Sequence, residues 1–244
     1  MIKWNNMDTL ASFQELSKTE KVNLTQVMSG ENGAERVKTY SVPMAEGLVF
    51  NYAAKQVDDA VLKGLEKLAE EAQLADKFKA LYNGEVINTG EKRRVLHHLT
   101  RGQLGETVEA DGVDKRAFYT GVQQKIAEFA GKVHGGEITN AAGEKFTTVV
   151  QIGIGGSDLG PRAIYIALEN WARKHHTLKM EARFISNVDP DDAAAVLNSI
   201  DVAHSLFVLV SKSGTTLETL TNESFVKDAL KNAGLDSSKH MVAV

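Results

Sequence analysis

The chain has 244 residues, 43% of them apolar, enough for one large domain or two small ones and too many for overall disorder. Charged residues make up 25%, and 28 Lys and Arg against 32 Asp and Glu leave a net charge of −4, without the basic surplus of a long nucleic-acid groove. Cysteine is absent, which excludes disulfide scaffolds, thiol nucleophiles and Cys-ligated zinc, and a cytoplasmic setting is expected.

The amino-terminal hexapeptide Met1–Asn6 lacks the apolar core of a secretory signal. No apolar run approaches the roughly 18 residues that span a bilayer, so no membrane partner is expected. From residue 7 to about 140 the pattern is mainly helical, broken at Ser29–Gly33, Tyr82-Asn83-Gly84 and Gly102–Gly105. Val61, Leu62, Leu65, Leu68, Ala69 and Ala72 predict one packing helix between Val57 and Leu81. Phe118, Val122, Ile126 and Phe129 predict a second, over Ala117–Val133.

After Gly143 the rhythm changes. Thr147–Ile152 is a β-branched run ending in a glycine cluster, and Pro161 suits the first turn of the following helix, on which Ile164, Ala167, Leu168 and Trp171 repeat along one face. A second strand, Glu181–Ser186, leads through Asn187-Val188-Asp189-Pro190 into a helix carrying Ala194, Ala195, Val196 and Ile200. A third, Leu206–Val210, leads through Ser211–Thr216 into a helix reaching about Ala233. Strand and helix alternate at roughly thirty residues, the βαβ spacing of a parallel, doubly wound α/β sheet with helices on both faces. Met241–Val244 reads as the opening of a fourth strand, so the sheet is expected to be incomplete at the carboxyl end and the chain to be the front part of a longer polypeptide.

In open α/β sheets ligands bind beyond the carboxyl ends of the strands, where helix amino termini present free N–H groups. Two loops have that position. Gly153-Ile154-Gly155-Gly156-Ser157-Asp158-Leu159-Gly160-Pro161 has glycines that permit close backbone approach and a hydroxyl to aim at an anion. It is not a dinucleotide fingerprint, because Asp158 stands where the third glycine belongs, and it lacks the Gly-Lys-Ser/Thr ending of a nucleotide P-loop. The same loop also reads as a plain strand-to-helix turn. The second, Ser211-Lys212-Ser213-Gly214-Thr215-Thr216-Leu217-Glu218-Thr219, concentrates hydroxyls, a lysine and a glycine before a helix, as a phosphate requires. A capping run with Glu218 as a first-turn acid is its structural alternative.

With both loops in view, the chain resembles the phosphoglucose isomerase family, whose sugar-isomerase (SIS) domains are α/β/α sandwiches. Gly153–Pro161 looks like that family's first glycine loop, Ser186-Asn187-Val188-Asp189 like its second strand exit, and Ser211–Thr219 like its phosphate loop, with Ser213-Gly214 where many members have Thr-Phe. Ile87–His97 resembles its Asn-Thr-x-Glu-x-Arg-Ala-Val-Leu-His segment, with Arg94 in place of the usual alanine. The resemblance implies a mainly helical region over residues 1–140 and a first SIS-type domain, truncated, over residues 141–244. It further implies the reversible isomerisation of glucose 6-phosphate and fructose 6-phosphate through a cis-enediol, with no cofactor or metal, and a homodimer for the intact enzyme.

Carried over by residue, Gly156 and Ser157 touch the sugar phosphate. Ser211, Lys212, Ser213 and Thr216 grip its phosphate, while Gly214 and Thr215 complete the loop backbone. Glu218 corresponds to an auxiliary acid rather than the base. The catalytic glutamate, the ring-opening histidine and lysine, and a Gly-Gly-Arg segment have no counterpart here, so the fragment alone is expected to be inactive. A sugar-phosphate sensor without catalysis is the alternative reading. The pairs His97-His98 and His175-His176 are expected at the surface or at helix ends, since adjacent helical residues do not form a metal clamp.

Overall fold

In the computed structural model, which describes residues 2–244, the chain divides into two units, Met1–Thr120 and Gly121–Val244. Met1 of the amino-terminal hexapeptide lies outside the described residues.

In the first unit α1 (Ala11–Leu16), α2 (Leu24–Val27) and α3 (Gly30–Thr39) precede an antiparallel hairpin of β1 (Ser41–Pro43) and β2 (Val49–Asn51). There follow α4 (Asp59–Glu71), α5 (Leu74–Tyr82), a 3-10 turn at His97–Thr100, and a second hairpin of β3 (Glu109–Ala110) and β4 (Val113–Asp114). Asp58 starts α4 by accepting the Val61 N–H at 2.8 Å. The single helix expected from Val57 to Leu81 is broken at Gln73, whose φ of 53° turns the chain between α4 and α5. Neither glycine nor proline marks that break, so the hydrophobic period runs straight through it.

Leu10, before α1, has no polar side chain with which to cap the helix. Glu71 from the end of α4 does so instead, accepting from the N–H groups of Ala11 at 3.1 Å and Ser12 at 2.9 Å and from the Ser12 hydroxyl. The Ser12 hydroxyl, foremost among these donors, holds the Glu71 carboxyl below its usual range. Arg36 is buried and donates to the carbonyls of Ala53 at 2.8 Å, Lys55 at 3.1 Å and Val57 at 2.6 Å, which orders the segment leading into α4. The first histidine pair divides. His97 is exposed, whereas His98 is buried, edge-on to Tyr82 with Nε2 3.2 Å from the Tyr82 carbonyl oxygen.

Helix α6 (Lys115–Gly135) begins in the first unit and continues into the second. The second unit then alternates β5 (Thr148–Ile152), α7 (Gly156–Lys174), β6 (Glu181–Ile185), α8 (Pro190–Asn198), β7 (Ser205–Leu209), α9 (Leu217–Asn232) and β8 (Met241–Ala243). The strands pair in parallel in the order β6-β5-β7-β8. In register, Val149 lies beside Ala182 and Leu206, and Ile152 beside Ile185 and Leu209.

Strand alternation sorts the side chains onto two faces. Val150, Ile152, Ile185 and Phe207 form one core with Ala193 of α8 and Val226 and Leu230 of α9. Each of the larger apolar side chains contributes about 1.5–3 kcal/mol on burial. The opposite face carries Leu206, packed with Val133 of α6 and Phe146. Helix α7 meets this face through Tyr165, whose ring lies 6.0 Å from that of Phe184 and whose oxygen accepts the Ala182 N–H at 3.1 Å. Its apolar repeat Ile164, Leu168 and Trp171 instead stands 64%, 56% and 57% exposed. His175 and His176 close α7 in solvent, as their position in the sequence suggests.

Candidate functional site

The strand order fixes where a ligand can sit. From β5 the chain crosses to β6 on one side and then returns to β7 on the other, so the winding reverses between β5 and β7. The two loops singled out in the sequence leave this reversal point at the carboxyl edge of neighbouring strands, tied by the Val210 N–H to the Ile152 carbonyl at 2.8 Å.

The first loop is shaped by its glycines and by Pro161. A Cβ on Gly153 would stand 2.7 Å from the Ser157 carbonyl oxygen, closer than carbon and oxygen can approach. Gly155 takes φ 58° and ψ −118°, a region that glycine alone adopts readily. Helix α7 then begins at Gly156, so Pro161 is not in its first turn but inside it. Proline has no N–H to give the carbonyl four residues earlier, that of Ser157. The Gln151 side chain supplies the missing donor, its Nε2 lying 2.7 Å from the Ser157 carbonyl oxygen. Gly156 is thereby held in solvent with Ser157 half-buried beside it.

The second loop is organised by its own hydroxyls. Ser211 Oγ accepts the Gly214 N–H at 3.0 Å, and Ser213 Oγ accepts the Thr215 N–H at 3.2 Å and the Thr215 hydroxyl at 3.1 Å. Thr216 Oγ1 stands 3.4 Å from both Ser211 Oγ and Ser213 Oγ. Gly214 provides the left-handed residue, with φ 70°. Thr216 occupies the N-cap of α9 but makes no side-chain cap bond, so the first amides of a 16-residue helix remain open for an anion. Lys212 is exposed and forms no ion pair among the described residues. Glu218 is exposed in the first turn of α9.

The structure therefore brings Gly156, Ser157, Ser211, Lys212, Ser213, Gly214, Thr215, Thr216 and Glu218 to one rim of the second unit. It adds groups that the sequence reading passed over. Asp158 is buried, 3% exposed, and pairs with Arg162 Nε at 3.0 Å. Arg162 Nη2 donates to Ser186 Oγ at 3.0 Å, with the guanidinium 4.8 Å above the Phe184 ring. The i,i+4 spacing of Asp158 and Arg162 on a helix was the available signal. Among the described residues no cluster of three His, Cys, Asp or Glu side chains could hold a metal, and no helix is long and apolar enough to cross a membrane.

This geometry coincides with recognisable kinship. The family profile described as Phosphoglucose isomerase matches residues 51–244. A protein of Treponema denticola named glucose-6-phosphate isomerase is 55% identical over all of this chain and 46% of its own length. Its namesake in Treponema pallidum is 49% identical, again over 46% of its length. Among solved structures, a glucose-6-phosphate isomerase from Chlamydia trachomatis superposes with a TM-score of 0.74 at 33% identity, covering 98% of this chain and 45% of that one. The chain thus spans about half the length of the curated relatives it matches. A profile match over most of its residues and shared architecture along nearly all of them establish that the chain belongs to the phosphoglucose isomerase family.

Proposed function

We propose that this chain is the sugar-phosphate-holding part of an enzyme that interconverts glucose 6-phosphate and fructose 6-phosphate through a cis-enediol, without metal or organic cofactor. The observation that carries this reading is a hydroxyl-rich loop opening onto the uncapped amino terminus of α9, beside a glycine loop on the neighbouring strand. Relatives that bear the name glucose-6-phosphate isomerase support it. Ser211, Lys212, Ser213 and Thr216 grip the phosphate while Gly214 and Thr215 complete the cradle. Gly156 and Ser157 meet the ligand from the first loop. Glu218 orients groups near the reacting end.

Moving a proton between C1 and C2 needs a carboxylate within hydrogen-bond reach and a positive group beside the developing oxyanion. Holding the phosphate fixes the position of those carbons, so binding remote from the reaction orients it. By itself the chain binds without turning over.

Calorimetric titration with fructose 6-phosphate, and with fructose as control, tests this reading. Each hydroxyl on the phosphate contributes about 1.5–3 kcal/mol as a hydrogen bond to a charged group, so Ser211→Ala with Thr216→Ala weakens binding by roughly 100-fold or more. Equal binding of fructose and its phosphate, or full affinity in the double variant, would refute it.

A further inference from the structure

The polar groups behind the two loops form one continuous strut. Asp158 in the first turn of α7 holds Arg162 at 3.0 Å, and Arg162 holds Ser186 Oγ at 3.0 Å where the chain leaves β6. The next residue, Asn187, presents its carbonyl to Asn222 Nδ2 of α9 at 3.1 Å. These bonds cross the carboxyl rim of the sheet, linking α7 on one face with α9 on the other through the dipeptide Ser186-Asn187.

Stability does not account for Asn222. It is 2% exposed, and its Oδ1 has no partner among the described residues. A buried amide that satisfies its donor and strands its acceptor gives back in desolvation what its hydrogen bond contributes, so an apolar side chain of similar volume would stabilise the fold at least as well. Arg162 also does more than neutralise Asp158, because its fork reaches a second element and its plane covers the Phe184 ring.

We propose that Arg162 and Asn222 are positioning residues that set the separation of the two ligand loops, with the Ser186-Asn187 dipeptide as the spacer between them. The inference rests on the proposed sugar-phosphate reading and adds how the two loops are held in register. A ligand spanning both loops depends on the strut, whereas inorganic phosphate, small enough for the Ser211–Thr216 cradle alone, does not.

Asn222→Leu, which keeps the branching and heavy-atom count of the side chain, and Arg162→Met, which keeps the aliphatic stem, test this in the 244-residue chain. Each variant is expected to weaken fructose 6-phosphate about tenfold, the loss of one positioning contact, with inorganic phosphate affinity unchanged; Arg162→Met also lowers the unfolding midpoint, because it leaves the buried Asp158 carboxylate without its partner. Amide hydrogen exchange reads the strut without ligand. Asn222→Leu should speed exchange of the Ser157 and Asp158 amides on α7, and Arg162→Met that of Gly214 and Leu220, while Ser224→Ala on the exposed side of α9 changes neither. Exchange confined to the mutated side, or equal weakening of both ligands, would overturn the positioning role. Wild-type chain that binds neither ligand would overturn the sugar-phosphate reading and with it the role in ligand positioning, whereas the exchange experiment would still decide whether the strut exists.

Discussion

Replacing Gly153 by alanine places one methyl group against a backbone oxygen that has no freedom to yield. The new Cβ would lie 2.7 Å from the Ser157 carbonyl oxygen and 3.1 Å from its carbon. That oxygen is already the acceptor for Gln151 Nε2 at 2.7 Å, at the point where Pro161 denies α7 its own hydrogen bond. To relieve the clash the first turn of α7 must move away from β5, which lengthens the Gln151 bond and displaces Gly156 and Ser157. Overpacking of this kind costs about 1–3 kcal/mol, or roughly 2–12 °C in unfolding midpoint for a protein of this size. Gly153 does not have a positive φ, so the cost is steric rather than conformational. Gly131 is the control: it lies inside α6 with nothing within 4 Å of an added Cβ and no proline after it, and alanine there should stabilise by up to about 1 kcal/mol. Thermal unfolding of both variants, with fructose 6-phosphate affinity measured alongside, decides the matter. A neutral Gly153→Ala, or the same response at both positions, would refute the close-approach argument.

Removing the surrogate donor by Gln151→Leu strands the Ser157 carbonyl and should cost about 1–3 kcal/mol in a denaturant titration. Phe207, wholly buried between α8 and α9, should lose about 3–5 kcal/mol on truncation to alanine, read by the same titration. His204 is held between Asp201 at 2.8 Å and Glu144 at 3.0 Å, and Asp201 foremost raises its pKa above the usual 6.5. Its stabilisation is therefore complete below pH 6.5 and is lost as pH rises through the higher folded value; unfolding midpoints across that window should fall in the wild type relative to His204→Gln. Glu71, with its pKa lowered by Ser12, has the opposite sign: its contribution stands above the unfolded carboxyl value and is lost on acidification, a slope that Glu71→Gln should flatten.

The second unit was legible because its signals are local. β-Branched runs ending in glycine or Ser/Thr clusters mark the strands and their loops, and β5, β6 and β7 fall within a residue of the runs that predict them. The strand order places the two loops at the winding reversal. What stayed hidden depends on contacts between distant segments. Gln151 compensating Pro161 allows α7 to start five residues before the proline, so the proline misplaces the helix start. Glu71 caps a helix some sixty residues earlier, and a left-handed Gln73 divides a pattern that periodicity reads as continuous. Arg162 and Asn222 resemble ordinary helix residues until Ser186 and Asn187 are placed between them.

The binding claim is best put to the test by mapping backbone amide shifts of the isotope-labelled chain during titration with fructose 6-phosphate and, separately, inorganic phosphate. Fructose 6-phosphate should move Gly156 and Ser157 together with Ser213, Gly214, Thr215 and Thr216, and inorganic phosphate only the second group. Shifts that leave the Ser213–Thr216 amides untouched, or that appear with unphosphorylated fructose, would contradict the assignment of this rim as the sugar-phosphate site.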